Sequence, residues 1–105
     1  MSFFLKKLTM VLAGVLLLLS SGVSQAGDTN KGRQLYAANC AMCHGQTGKS
    51  TMPGAPNFNR GEKLMRPDGS LLASIRSGTN ACPSFRGMLA DRDILDVIAF
   101  LRTLQ

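Results

Sequence analysis

Apolar residues recur at three- and four-residue steps along Asp91–Leu104. Ile94, Val97, Ile98, Leu101 and Leu104 form one stripe with polar positions between them. This predicts the clearest helix of the chain. Asp91 and Asp93 fall in its first turn and Arg102 in its last, matching the helix dipole. A shorter stripe of Leu71, Leu72 and Ile75 marks a second helix, Ser70–Ser77, opened by the turn Pro67-Asp68-Gly69 and closed by Gly78. A third helix starts from a cap at Asp28 or Thr29 and runs through Lys31, Leu35 and Tyr36 toward Cys40. Gly32 lies four residues before Tyr36, so both share one face, and another helix can cross closely at the glycine. Gly45–Gly61 carries too many Gly and Pro residues for a regular element and reads as a loop; Thr79–Gly87 is a second. Repeats and strand patterns are absent, so the pattern gives an all-α chain.

The N-terminal pattern is of another kind. Lys6 and Lys7 precede a twelve-residue run, Leu8–Leu19, apolar except for Thr9, and small residues stand at Ser24 and Ala26. A positive start, a short apolar run and a small-x-small end make a secretory signal peptide. A spanning helix needs about 20 apolar residues, and twelve fall short. Two domains of the reading follow: a leader over 1–26, cut after Ala26, and a mature domain over 27–105. Export to the periplasm by general secretion is expected, with no stable membrane span after the leader is removed.

Charge excludes little beyond nucleic acid. The chain has 105 residues and a net charge of +6, which becomes +4 once Lys6 and Lys7 leave with the leader. The remaining Lys and Arg stand singly, so no basic cluster supports nucleic-acid binding. An acidic protein partner remains compatible through weak steering. A domain this small buries limited apolar surface and commonly relies on disulfides, a metal or a cofactor.

That need points to Cys40-Ala41-Met42-Cys43-His44, which reads as a c-type haem attachment site. Two thiols three positions apart lie on one side of a helical turn, where each can add across a haem vinyl group. His44 is then held under the iron and meets it through its imidazole. Other uses of the spacing fit less well. A redox CxxC belongs in a βαβ setting, absent here. A zinc site needs two more ligands, and Cys82 is the only other Cys. A Cys40–Cys43 disulfide is geometrically poor. One covalent haem c is therefore the expected cofactor. His44 is the sole histidine, so a second imidazole from the same chain cannot complete the iron. The sixth ligand must be Met, Cys, Lys, water or a group from another chain.

Together these residues resemble the class I c-type cytochromes, the small single-haem electron carriers. The likeness covers Asp28 to Leu104. It implies a cytochrome c fold, three to four helices wrapped round a covalent haem, with the Gly45–Gly61 loop along the haem edge. It implies that the first and last helices cross through Gly32 and Tyr36 against Val97 and Phe100. It implies a haem-loop proline whose carbonyl accepts a hydrogen bond from the axial imidazole. Pro56 is the best match and Pro53 the competitor; such a bond fixes the ring and raises ligand basicity. Pro53–Leu72, followed by Ile75-Arg76-x-Gly78, is similar to the cytochrome c55X proteins found beside haem cd1 nitrite reductases. A periplasmic nitrite reductase is the redox partner that this narrower likeness implies.

One departure stands out. The family's ligand loop reads Met-Pro-x-Phe; here it reads Cys82-Pro83-Ser84-Phe85. Three readings stay open. Cys82 ligates iron as a thiolate, which stabilises ferric iron and lowers the potential. Alternatively, Met88 supplies a thioether after a shift of the loop. In the third, Cys82 leaves the position open or labile, or pairs with another chain as an odd cysteine. Met52 and Met65 read as packing, Met42 as a spacer, Lys49 and Lys63 as surface residues, and Arg76 and Arg86 as partners for an acidic rim or a haem propionate.

These residues favour electron transfer over catalysis. The sole histidine is committed to iron, and no acid–base or nucleophile–base pair stands out. The alternative is a haem enzyme or sensor with a labile His/Cys site, serving sulfur-compound oxidation or haem and nitrite reductase maturation.

Overall fold

The computed structural model describes residues 1–18, 27–79 and 81–105. Five helices lie among them: α1 (Ser2–Leu18), α2 (Thr29–Asn39), α3 (Ala41–His44), α4 (Asp68–Ser77) and α5 (Asp91–Leu101), with a single 3-10 turn at Phe58–Arg60. No strand occurs among the described residues; one isolated bridge joins Thr79 and Cys82 across the second loop. The all-α expectation is met. Helix α1 begins six residues before the N-terminal apolar run and covers it from Leu8 to Leu18. No helix among the described residues is long and apolar enough to cross a membrane. The expected cut after Ala26 lies outside the described residues.

Helix α2 is capped by Asp28, whose carboxylate accepts from the N–H groups of Asn30 and Lys31 at 3.0 and 3.1 Å. This answers two of the donors that a helix start leaves unpaired. Helix α4 begins two residues before its expected start at Ser70. Pro67 takes the N-cap place, and its carbonyl accepts from Ser70 and Leu71 at 3.0 and 3.2 Å. The next residue, Asp68, then serves the first turn. Helix α5 ends at Leu101, three residues short of the expected Leu104. The N–H and hydroxyl of Thr103 both donate to the Phe100 carbonyl, at 2.9 and 2.6 Å, and tighten the chain out of the helix. Leu104 still packs against the core from beyond that turn. Arg102 is the C-cap rather than a last-turn residue.

The core lies where α2 meets α5. A Cβ on Gly32 would collide with the backbone carbonyl of Asp96 and touch Phe100 Cβ. The glycine is what allows the two helices to approach. Tyr36 and Phe100 pack with ring centroids 5.3 Å apart, tilted by 59°. Ile94, Val97, Ile98 and Leu101 of the α5 stripe are buried with Leu71 of α4 and Leu64 of the loop before it. The expected contacts hold for Tyr36 and Phe100, and Val97 sits in the same cluster. What Gly32 abuts is the α5 backbone at Asp96.

Candidate haem site

Helix α3 is a single turn that carries Cys43 and His44, with Cys40 at its N-cap. It forms because the Cys40 carbonyl accepts from His44 N–H at 3.0 Å and the Ala41 carbonyl from Gly45 N–H at 2.8 Å. Gly45 then reverses the chain at φ 79°, a conformation natural only to glycine. A Cβ there would also strike the Lys49 carbonyl. The buried Tyr36 hydroxyl donates to the Gly45 carbonyl at 2.6 Å, tying α2 to the turn that ends the motif.

Beside this turn opens a cavity of about 660 Å³, inside the ~300–1,000 Å³ range of cofactor pockets. Cys40, Cys43 and His44 line it, with Phe58, Leu64, Leu71, Phe85 and Val97 among its apolar walls. His44 Nδ1 lies 3.2 Å from the Pro56 carbonyl oxygen, the contact expected of that proline. With Nδ1–H donated there, Nε2 is the nitrogen left to bind. Pro53 lines the cavity without such a contact. The Phe58 ring stacks on the imidazole at 4.4 Å between centroids and 27° between planes. The imidazole is therefore held at one nitrogen and over one face.

Cys82 lines the same cavity; Met88 does not, and its side chain is 68% exposed. Two of the three thiols are shifted by their surroundings. Burial pushes the Cys40 thiol up to about 12, with Cys82 and then Cys43 adding to the rise. Burial, then Cys43, also raises Cys82, against a backbone hydrogen bond from Thr79. Both stay protonated at neutral pH, and for Cys40 that is the form in which a thiol adds its S–H across a vinyl group. A cation bound at Cys82 would reverse the balance there, since metal coordination deprotonates a thiol.

The site residues therefore fit a porphyrin: two thiols, one oriented imidazole, a third sulfur and an apolar chamber of matching size. Several side chains fall elsewhere than expected. Met65 is 95% exposed and fills no space at the cavity, whereas Met52 lines it. Arg76 does not reach the cavity; its Nη1 pairs with the Asp91 carboxylate at 2.8 and 3.0 Å. Arg86 donates to Ser77 Oγ at 3.0 Å. Conversely Lys63, read as a surface residue, lines the cavity, as does Arg66. Phe58 and the Tyr36–Gly45 bond went unread as site features. An aromatic two residues past the haem-loop proline was the only signal for the first.

The family model described as cytochrome c oxidase, cbb3-type, subunit III matches residues 27–101. Among relatives, a cytochrome c6 from Nostoc sp. is 32% identical over 101 residues, covering 91% of this chain and 90% of the relative. The cytochrome c6 of Gracilaria tenuistipitata var. liui is 32% identical over 78 residues, 72% of each chain. The crystal structure of cytochrome c6 from the diatom Phaeodactylum tricornutum superposes with a TM-score of 0.62 at 30% identity, over 73% of this chain and 93% of that one. With the same small helical fold and a cavity built around a CxxCH turn, this chain belongs to the class I c-type cytochromes, is cytochrome c6-like, and has one covalent haem c as its cofactor.

Proposed function

We propose that the chain is an exported, periplasmic single-haem electron carrier, with Cys40 and Cys43 as the attachment thiols, His44 as one axial ligand and Cys82 as the other. The observation that carries this is the shared cavity: it gathers Cys40, Cys43, His44 and Cys82, and leaves Met88 outside. When bound, the haem supplies a one-electron iron couple. The chain's own residues attach the group, orient the imidazole through Pro56 and exclude water with Phe58, Leu64, Phe85 and Val97. A thiolate in place of a thioether favours ferric iron, so a potential below that of a His/Met carrier is expected. The leader, 1–26, and the mature domain, 27–105, complete the reading, and the leader is its support for export.

The partners are redox proteins. The Pro53–Leu72 stretch supports a haem cd1 nitrite reductase among them, through its likeness to cytochrome c55X. The alternative of a haem enzyme gains no support from the cavity, whose lining among the described residues offers no carboxylate to act as acid or base.

Optical and EPR spectra of the holoprotein test the ligand set. Low-spin ferric thiolate features are expected in the native protein and in Met88→Leu, and are expected to vanish in Cys82→Ser. A thioether–iron signature that survives Cys82→Ser and is lost in Met88→Leu would overturn the assignment of Cys82.

A further inference from the structure

Only two side chains lining the haem cavity carry a formal charge, Lys63 and Arg66, and both are positive; no Asp or Glu lines it among the described residues. They lie three residues apart on one turn, between the 3-10 turn and α4. We propose that Lys63 and Arg66 form the seat for the two haem propionates, and thereby set part of the iron's potential.

The turn is held from outside. Arg102 reaches across from the end of α5. Its Nη1 donates to the Leu64 carbonyl at 2.8 Å and its Nη2 to the Arg66 carbonyl at 3.0 Å. The same guanidinium binds Asp68 Oδ1, with Nη2 at 2.6 Å and Nε at 3.1 Å. Between the two cations, Leu64 is buried in the core and fixes the turn inward. Lys63 is the only non-glycine residue among the described ones with positive φ, 65°. A residue with a Cβ adopts that conformation at a cost, and holds it where the surroundings over-determine it. Arg102 and Leu64 supply that constraint.

Nearby cations are already committed. Arg102 serves Asp68 and the two carbonyls, and Arg60 lies 4.0 Å from Glu62. Lys63 and Arg66 make no ion pair among the described residues. The one contact of the Arg66 side chain is a long one, from Nε to the Lys63 carbonyl at 3.4 Å. A porphyrin brings two carboxylates to a mostly apolar chamber, and the exposed Lys63 and Arg66 at its edge offer them cationic, hydrogen-bonding partners. Arginine matches a carboxylate with two parallel N–H donors, and lysine with one compact charge. Both cations also act on the iron through space, favouring the ferrous state, which carries one positive charge fewer.

This inference rests on the haem reading above, and the test separates the two. The midpoint potential of the holoprotein is measured by spectroelectrochemistry, after haem staining confirms attachment in each variant. At fixed ambient potential, Lys63→Gln and Arg66→Gln should each shift the ferric-to-ferrous ratio about threefold toward ferric. The double variant should shift it about tenfold, a fall of about 59 mV for a one-electron couple. Lys63→Arg should keep the native potential. Lys63→Gly relieves the backbone strain, so it should lower the potential without loss of thermal stability; a merely structural lysine would leave the potential unmoved. Lys49→Gln, which removes a charge away from the cavity, sets the background. A stained double variant that matches the native potential, or shifts no more than Lys49→Gln, overturns the propionate seat. A preparation that takes no haem stain overturns the haem reading itself.

Discussion

The backbone N–H of Asp28 donates to the Asp96 carboxylate at 2.8 Å, joining the first turn of α2 to the middle of α5 across 68 residues of sequence. Asp96 is 2% exposed, and a buried carboxylate persists only with partners. Here they are the Asp28 amide and, at 3.8 Å, the Arg92 guanidinium. Asp28 in turn caps α2 through its own carboxylate. One short segment therefore fixes both the start of α2 and its position on α5, upstream of the turn that presents Cys40, Cys43 and His44.

Replacing Asp96 by Ala leaves the Asp28 amide without its acceptor. The expected cost is about 1–3 kcal/mol, read as a lower urea midpoint at unchanged slope. Asp96→Asn keeps an acceptor oxygen and should recover most of the loss. Equal losses in both variants would show that charge, and not the hydrogen bond to Asp28, is what matters.

Gly32→Ala should be among the most damaging single changes in the chain. The added methyl collides with the Asp96 carbonyl, which belongs to helix backbone and cannot swing aside. The helices must part, at a cost toward the top of the roughly 1–3 kcal/mol range of overpacking. Thermal unfolding checks this, and a loss under about 0.5 kcal/mol, the scale of an ordinary exposed substitution, would contradict the close crossing.

Tyr36 is the only tyrosine, so its ionisation can be followed alone by phenolate absorbance. Burial, with a smaller contribution from Cys40, pushes its pKa up to about 12 from the usual 10. The sign follows directly. The folded chain holds the proton more tightly than the unfolded one, so this contribution to stability is complete below pH 10. It is lost as pH rises from there through about 12. Tyr36→Phe should lose the hydrogen bond to Gly45, about 0.5–1.5 kcal/mol at neutral pH, and should lack the fall between pH 10 and 12 that the native tyrosine causes. Phenolate appearing near pH 10 in the folded protein would show that the hydroxyl is not buried as described.

Phe58→Ala removes the ring stacked on His44. The imidazole keeps its bond to the Pro56 carbonyl but loses the surface at its face. About 1–3 kcal/mol of stability should go with the half-buried ring, and the EPR signal of the ferric protein should broaden as the imidazole orientation spreads. Phe58→Leu should restore stability more than it restores the narrow signal. Spectra indistinguishable from native in Phe58→Ala would remove the ring from any positioning role.

Much of this was legible in residue order. The α5 stripe is periodic, so burial of Ile94, Val97, Ile98 and Leu101 follows from spacing alone. The attachment motif is legible because two thiols and an imidazole must occupy fixed places on one turn. Asp28 was legible because its side chain answers donors two and three residues away. The unread features depend on contacts between distant segments. Asp96 looks like a polar residue in mid-helix, and the close crossing of α2, with Asp28 donating to its carboxylate, is what buries it. Lys63 and Arg66 stand in a loop with no period, and Arg102, more than thirty residues on, holds that loop by the Leu64 and Arg66 carbonyls. The early end of α5 rests on a local competition, in which the Thr103 hydroxyl takes the Phe100 carbonyl from the continuing helix.

The central claim is that a haem is bound through Cys40 and Cys43 with His44 beneath its iron. Haem staining of the protein on a denaturing gel, made in cells that assemble c-type cytochromes, tests it most directly. The native chain should carry the stain through denaturation, and the double variant Cys40→Ala/Cys43→Ala should lose it. A native polypeptide that folds stably without pigment, or a double variant that retains the stain, would contradict the account.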